Sequence, residues 1–281
     1  MKLDQAQQSA FIELVREAAK TEIMPRFRHL SSDAIRAKTA PDDLVTDADE
    51  AAEIVISKGA LDILPGAAII GEEAVASDPS LLEQIGSSDW AVIIDPIDGT
   101  WNFANGLSTF GVILAVTYKG ETVFGLLYDP VMDDWIAASQ GEGAWFGAPE
   151  QERRIIRSSR PKPFSEMTGI CSHFLFPESQ RSRLASQMAI GFTRVSSLRC
   201  SCHEYRLLAQ GKLDFIVNGM KKPWDHAAGV FVTKQAGGEA MCIDGSAYQP
   251  TDHQGSFVVA GSAETTEALR QSLLWLEEDK A

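Results

Sequence analysis

The chain has 281 residues, 44% hydrophobic and 23% charged, enough to bury a large core as one big domain or two intimate halves. No apolar run approaches membrane-spanning length and the start lacks the basic-then-apolar pattern of a signal peptide, so a cytoplasmic protein without membrane contact is expected. A net charge of −14 argues against general nucleic-acid binding, which relies on clustered Lys and Arg, although metal ions could reverse the sign locally for an anionic substrate.

Phe11, Leu14, Val15, Ala18, Ala19 and Ile23 recur at helical spacing and predict an amphipathic helix over 4–27. Residues 31–43 show no period and contain Pro41, so they read as a loop. A second helix should start near Asp47, where Asp47 and Glu50 resemble a capping box, and run to Pro65. Strands are expected over 67–70 and 90–94; Pro96, with no N–H for a ladder, should end the latter. Runs 111–118 and 122–128 flank Lys119-Gly120-Glu121 as a hairpin, and 134–138 adds a strand. The polar stretch 147–163 reads as a seam between an N-terminal α+β half, 1–150, and a C-terminal α/β half, 151–281. Beyond it come a strand at 169–172, a helix from Glu178, a strand at 213–217 and a helix from Asp225 that ends at Gly237-Gly238. Strands 239–243 and 257–260 and a closing helix over 264–277 complete an α+β fold with a sheet in each half. Cys171, Cys200, Cys202 and Cys242 form no Cys-x-x-Cys pair and read as reduced and mostly buried.

Three acidic groups follow apolar segments. Asp95 and Asp98 stand at a strand's carboxyl end, where open α/β sheets place ligands, although Asp, Pro and Gly also favour plain turns. Glu72 and Glu73 follow the short strand before it, and Asp225 opens a helix, where an N-cap is the plain role. Hard divalent cations want several oxygen ligands, and Glu72, Asp95, Asp98 and Asp225 supply them if they converge.

The order Gly71-Glu72-Glu73, Asp95-Pro96-Ile97-Asp98-Gly99-Thr100 and Trp224-Asp225-His226-Ala227-Ala228-Gly229 resembles the inositol monophosphatase family. Its members are Mg2+-dependent, typically Li+-sensitive phosphatases. The likeness extends from Asp43-Leu44-Val45-Thr46-Asp47-Ala48-Asp49 to Gln235-Ala236-Gly237-Gly238 and covers most of the chain. It implies a layered αβαβα sandwich of the inositol monophosphatase and fructose bisphosphatase type, a homodimer and two or three Mg2+ ions. By the same resemblance, Glu72, Asp95 and the Ile97 carbonyl would hold one ion. Asp95, Asp98 and Asp225 would hold a second, and Glu73 would assist a third. Glu72 and Thr100 would position the attacking water, with Asp49 accepting the Thr100 hydroxyl. Gly99 and Thr100 would offer backbone N–H groups to the phosphate, with Asp98 and Asp225 beside the substrate.

The match fails over 198–204, and Asn218 stands where some inositol phosphatases use a Glu for ring hydroxyls. Arg199, Lys221 and Lys222 could meet a second anion, but ordinary surface charge is the preferred reading. His203 is expected on a helix face, and His226 should orient the loop beside Asp225 or pack locally. The expected function is a Mg2+-dependent phosphomonoesterase on a small phosphorylated metabolite, first an inositol-1-phosphate type. Adenosine bisphosphate nucleotidase, fructose bisphosphatase and histidinol-phosphate phosphatase activities are the rivals. A regulatory partner of RNA or transcription machinery is the alternative of another class.

Overall fold

A computed structural model describes residues 1–278. Helix α1, Gln5–Ala18, starts at Asp4, whose carboxylate accepts from the Gln7 N–H at 2.8 Å. It continues through one wider turn, Ala19–Ile23, and stops there rather than at residue 27. Residues 31–43 are not all loop, because β1, Ile35–Ala37, pairs antiparallel with β2, Leu44–Thr46. Helix α2, Asp47–Ile63, is capped one residue earlier than expected: Thr46 is the N-cap and Asp49 the reciprocal acid.

The seven-stranded sheet follows. After β3, Ala68–Gly71, come the short helices α3, Glu72–Ser77, and α4, Gln84–Ser87, and then β4, Trp90–Asp98. Helix α5, Thr100–Ala104, leads to β5, Gly111–Tyr118, β6, Glu121–Asp129, β7, Asp134–Ser139, β8, Gly143–Gly147, and β9, Arg154–Ile155. The strands lie in chain order, β3 parallel to β4 and the rest antiparallel. Strand β4 runs through Pro96 because the ladder is bulged between Asp95 and Asp98, so the missing N–H costs no bond there. The polar stretch 147–163 is not all seam, since it holds β9 paired to β8.

The remaining elements are β10, Thr168–Cys171, α6, Glu178–Gly191, β11, Arg194–Ser196, α7, Ser201–Ala209, and β12, Phe215–Asn218. Then follow α8, Pro223–Gln235, β13, Glu239–Cys242, β14, Phe257–Ala260, α9, Ala263–Ser272, and α10, Trp275–Glu278. The five strands order β11-β10-β12-β14-β13. The expected closing helix is two pieces, broken at Leu273–Leu274.

Period-two alternation sorts the strands between layers. Val92, Ile94, Val112 and Leu114 pack with Phe11, Val15, Ala52 and Ile56 of α1 and α2. Ile93, Ile113, Ala115 and Leu127 on the opposite face meet Tyr205 and Leu208 of α7 and Ala228 and Val232 of α8. Those helices also cover Ile170, Ile216, Phe257 and Val259 of the second sheet. Its far face, with Phe215, Val217 and Val258, packs on Leu184, Leu269 and Leu276. The result is a layered αβαβα sandwich. Gly125 lets α8 approach closely: a Cβ there would lie 2.9 Å from Ala228 O. Among the described residues no helix is long and apolar enough to cross a membrane.

Candidate active site

The bulge in β4 makes the central pair. On a regular strand Asp95 and Asp98, three apart, would face opposite sides; one inserted residue returns both to the same side. Parallel pairing of Gly71 with Ile94 then sets Glu72, one residue beyond β3, near Asp95. Asp225 arrives from the first turn of α8, just inside Pro223. One carboxylate oxygen from each of Asp95, Asp98 and Asp225 lies within 4.8 Å of the others.

Crowding raises these acids. Burial first, then Glu72, Asp98 and Asp225, push Asp95 well above the usual carboxylate range. Burial and Asp225 lift Asp98 to about 7, against the pull of the Cys202 N–H it accepts. Asp225 is also raised by burial, opposed by Lys222. Asp95 Oδ1 is buried without a hydrogen-bond partner. An orphaned carboxylate oxygen among like charges suits a cation, and the all-oxygen donor set suits a hard one such as Mg2+.

Other expected residues gather around this centre. Asp49, lifted to about 7 chiefly by burial, accepts from the Thr46 N–H at 2.8 Å and the Thr46 hydroxyl at 2.5 Å. Thr100 Oγ1 lies 3.3 Å from Asp49 Oδ1 and 3.0 Å from the Ile97 carbonyl. Gly99 adopts φ +87°, and a Cβ there would meet Thr109 O at 3.0 Å and Arg199 O at 3.2 Å. A cavity of about 810 Å³ opens over the site, lined by Glu72, Asp98, Thr100, Asn218, Lys222 and Asp225 among others.

The basic residues part company. Arg199, expected as plain surface charge, lines the cavity with its guanidinium 4.3 Å above the Trp101 ring and 3.3 Å from Asp42. Lys221 is 4% exposed and paired with Asp252 at 2.5 Å, while its neighbour Lys222 borders the cavity. The field of Asp225 raises Lys222 most. His203 lies on α7, its Nε2 3.0 Å from Phe110 O; His226 packs on Phe257 with Nδ1 3.2 Å from the Tyr205 hydroxyl. All four cysteines are free and buried.

Two residues had no sequence signal. Lys38, from the end of β1, bridges Glu72 at 3.0 Å and Glu73 at 2.7 Å. Glu53 on α2 accepts the Glu73 and Ala74 N–H groups at 2.9 Å each and so fixes the turn carrying both glutamates.

Residues 3–275 match the model of the inositol monophosphatase family. The chain belongs to that family. It is 30% identical over 213 residues to a fructose-1,6-bisphosphatase/inositol-1-monophosphatase of Thermotoga maritima, covering 76% of this chain and 77% of that one. It is likewise 30% identical to the Bacillus subtilis inositol-1-monophosphatase, covering 76% and 78%, and to the Nus factor SuhB of Vibrio cholerae, covering 82% of each. A solved Thermotoga maritima inositol monophosphatase superposes with TM-score 0.80 at 24% identity, covering 99% of this chain and all of that one, so this family member shares its fold.

Proposed function

We propose that this family member is a Mg2+-dependent phosphomonoesterase for a small phosphorylated metabolite, with inositol-1-phosphate as the first substrate to test. The convergence of Asp95, Asp98 and Asp225 around an unpartnered buried oxygen carries the reading. Glu72, Asp95 and the Ile97 carbonyl would hold one ion; Asp95, Asp98 and Asp225 would hold the next. Lys38 already neutralises Glu72 and Glu73, so a third ion at Glu73 has to displace it. Bound Mg2+ supplies an acidified water and a stabilised leaving oxygen.

The chain's own groups do the aligning. The Thr100 hydroxyl, steered by Asp49, orients the attacking water together with Glu72. The Gly99 and Thr100 N–H groups would meet the phosphate, and Gly99, the N-cap of α5, brings no side chain to block its approach. Asp98 and Asp225 border the leaving group. A homodimer belongs to the same reading and rests on the family resemblance. Relatives named Nus factor SuhB suggest a role beside transcription machinery, but the net charge of −14 and the assembled carboxylates favour hydrolysis. Phosphate release from inositol-1-phosphate should vanish in EDTA, return with Mg2+ and fall under excess Ca2+, which tolerates looser geometry. Full activity after exhaustive chelation would overturn the proposal.

A further inference from the structure

Away from the carboxylates the cavity wall changes character. Phe174 and Leu175, from the turn His173–Leu175, and Met220, after β12, are 43%, 44% and 39% exposed, and all three line the cavity. Single exposed apolar residues are ordinary; three sharing one wall of a concave site form a recognition surface. The backbone beside Met220 is close to that turn: a Cβ on Gly219 would lie 3.0 Å from both Leu175 O and Phe176 Cδ2. Behind it, Phe176 is buried, and the buried His226 ring engages the Met220 backbone while holding the Tyr205 hydroxyl. Trp101, beneath the Arg199 guanidinium, lines the same cavity.

A polyol desolvated here loses hydrogen bonds to water that Phe174, Leu175 and Met220 cannot replace. Asn218, which lines the cavity beside them, is a neutral amide, and the Glu204 carboxyl on the same lining already accepts from the Leu198 N–H at 2.8 Å. An apolar ring on the same wall gains from burial and gives up no hydrogen bonds of its own to water.

We infer that the leaving group this site selects is an apolar or planar ring alcohol seated on Phe174, Leu175 and Met220, not a polyol. The inference rests on the phosphatase reading and names its substrate class. The matched pair that tests it is cyclohexyl phosphate and inositol-1-phosphate, the same ring with and without hydroxyls, given to the full-length protein with Mg2+. The expected KM for cyclohexyl phosphate is lower by at least ~10-fold, the scale of burying a few methylene groups. Phe174→Ser and Met220→Ser should each narrow that ratio by ~5-fold, acting through KM and not kcat. A lower KM for inositol-1-phosphate, or a ratio that neither substitution moves, overturns the inference and leaves the phosphatase reading standing. Should a variant fail to fold, the wild-type ratio still decides. No phosphate from either ester overturns the inference.

Discussion

At the scale of single residues, Asp95 sits 2% exposed among Glu72, Asp98 and Asp225, each of which opposes its ionisation. Asp95→Asn keeps the shape and removes the charge. Turnover should fall by at least ~100-fold, as expected for losing a metal ligand, while the EDTA-treated protein should melt higher because one buried like charge is gone. Near-normal kcat/KM would place the ion elsewhere. Thr100→Ala should cut turnover strongly yet leave Mg2+ affinity, read by titration calorimetry, within a few-fold. Asp49→Asn should resemble it, and the double variant should be no worse than the poorer single one, since both break one hydrogen-bonded unit. Multiplied losses would refute that unit. Asp95, Asp98 and Asp225 were legible in the sequence because each directly follows an apolar run or opens a helix. Lys38 and Glu53 were not, because their partners lie 34–35 and 20–21 residues away and only folding brings them together. Lys221 and Lys222 show the same limit: adjacent and identical in type, they part where α8 begins.

At the scale of elements, α8 fixes the site because it carries Asp225 and seats Ala228, one turn on, against the sheet. Gly125→Ala puts a methyl 2.9 Å from Ala228 O, a backbone atom that cannot swing aside. The helix must lift, so stability should fall by about 1–3 kcal/mol, the usual cost of overpacking. Because Asp225 moves with the helix, Mg2+ affinity should weaken too; calorimetry showing unchanged affinity in a destabilised variant would separate α8 seating from ion binding. The long strands β5 and β6 and helix α2 were readable from period and turn chemistry. The elements that escaped are short: β1 and β11 have three residues each and β9 two, too few to show a period. Strand β8 begins and ends on glycine and stops where the polar seam is read to begin. Pro96 misled for a different reason, since a proline in a bulge needs no ladder partner.

At the scale of the whole molecule, the middle helical layer joins both sheets, and β4 packs on both α2 and α8, so charge buried around them bears on global stability. Asp49 and Asp98 are raised to about 7 from the ordinary 3.8, chiefly by burial. A carboxylate raised in the folded state holds its proton more tightly there, so folding is favoured at low pH. The advantage disappears as pH climbs from about 4 through about 7. A rise of about 3 units corresponds to roughly 4 kcal/mol for a fully buried group. In EDTA the melting temperature should therefore fall between pH 5 and 7.5. His226, held down to about 3 by burial, works in the opposite sense below 6.5, and Glu204, raised to about 8, adds to the fall. Neither belongs to the proposed ion-binding set, so both act on the curves with and without Mg2+. The difference between the curves isolates the proposed ion site, where Asp95, Asp98 and Asp225 are raised. Saturating Mg2+ binds only the folded form and becomes stronger as those acids lose their protons. The gap between the two melting curves should thus widen with pH, reaching at least ~5 °C by pH 7.5, a shift of about 2 kcal/mol for a chain of this size. Parallel curves across that range would mean that the buried carboxylates are neutralised without a bound cation.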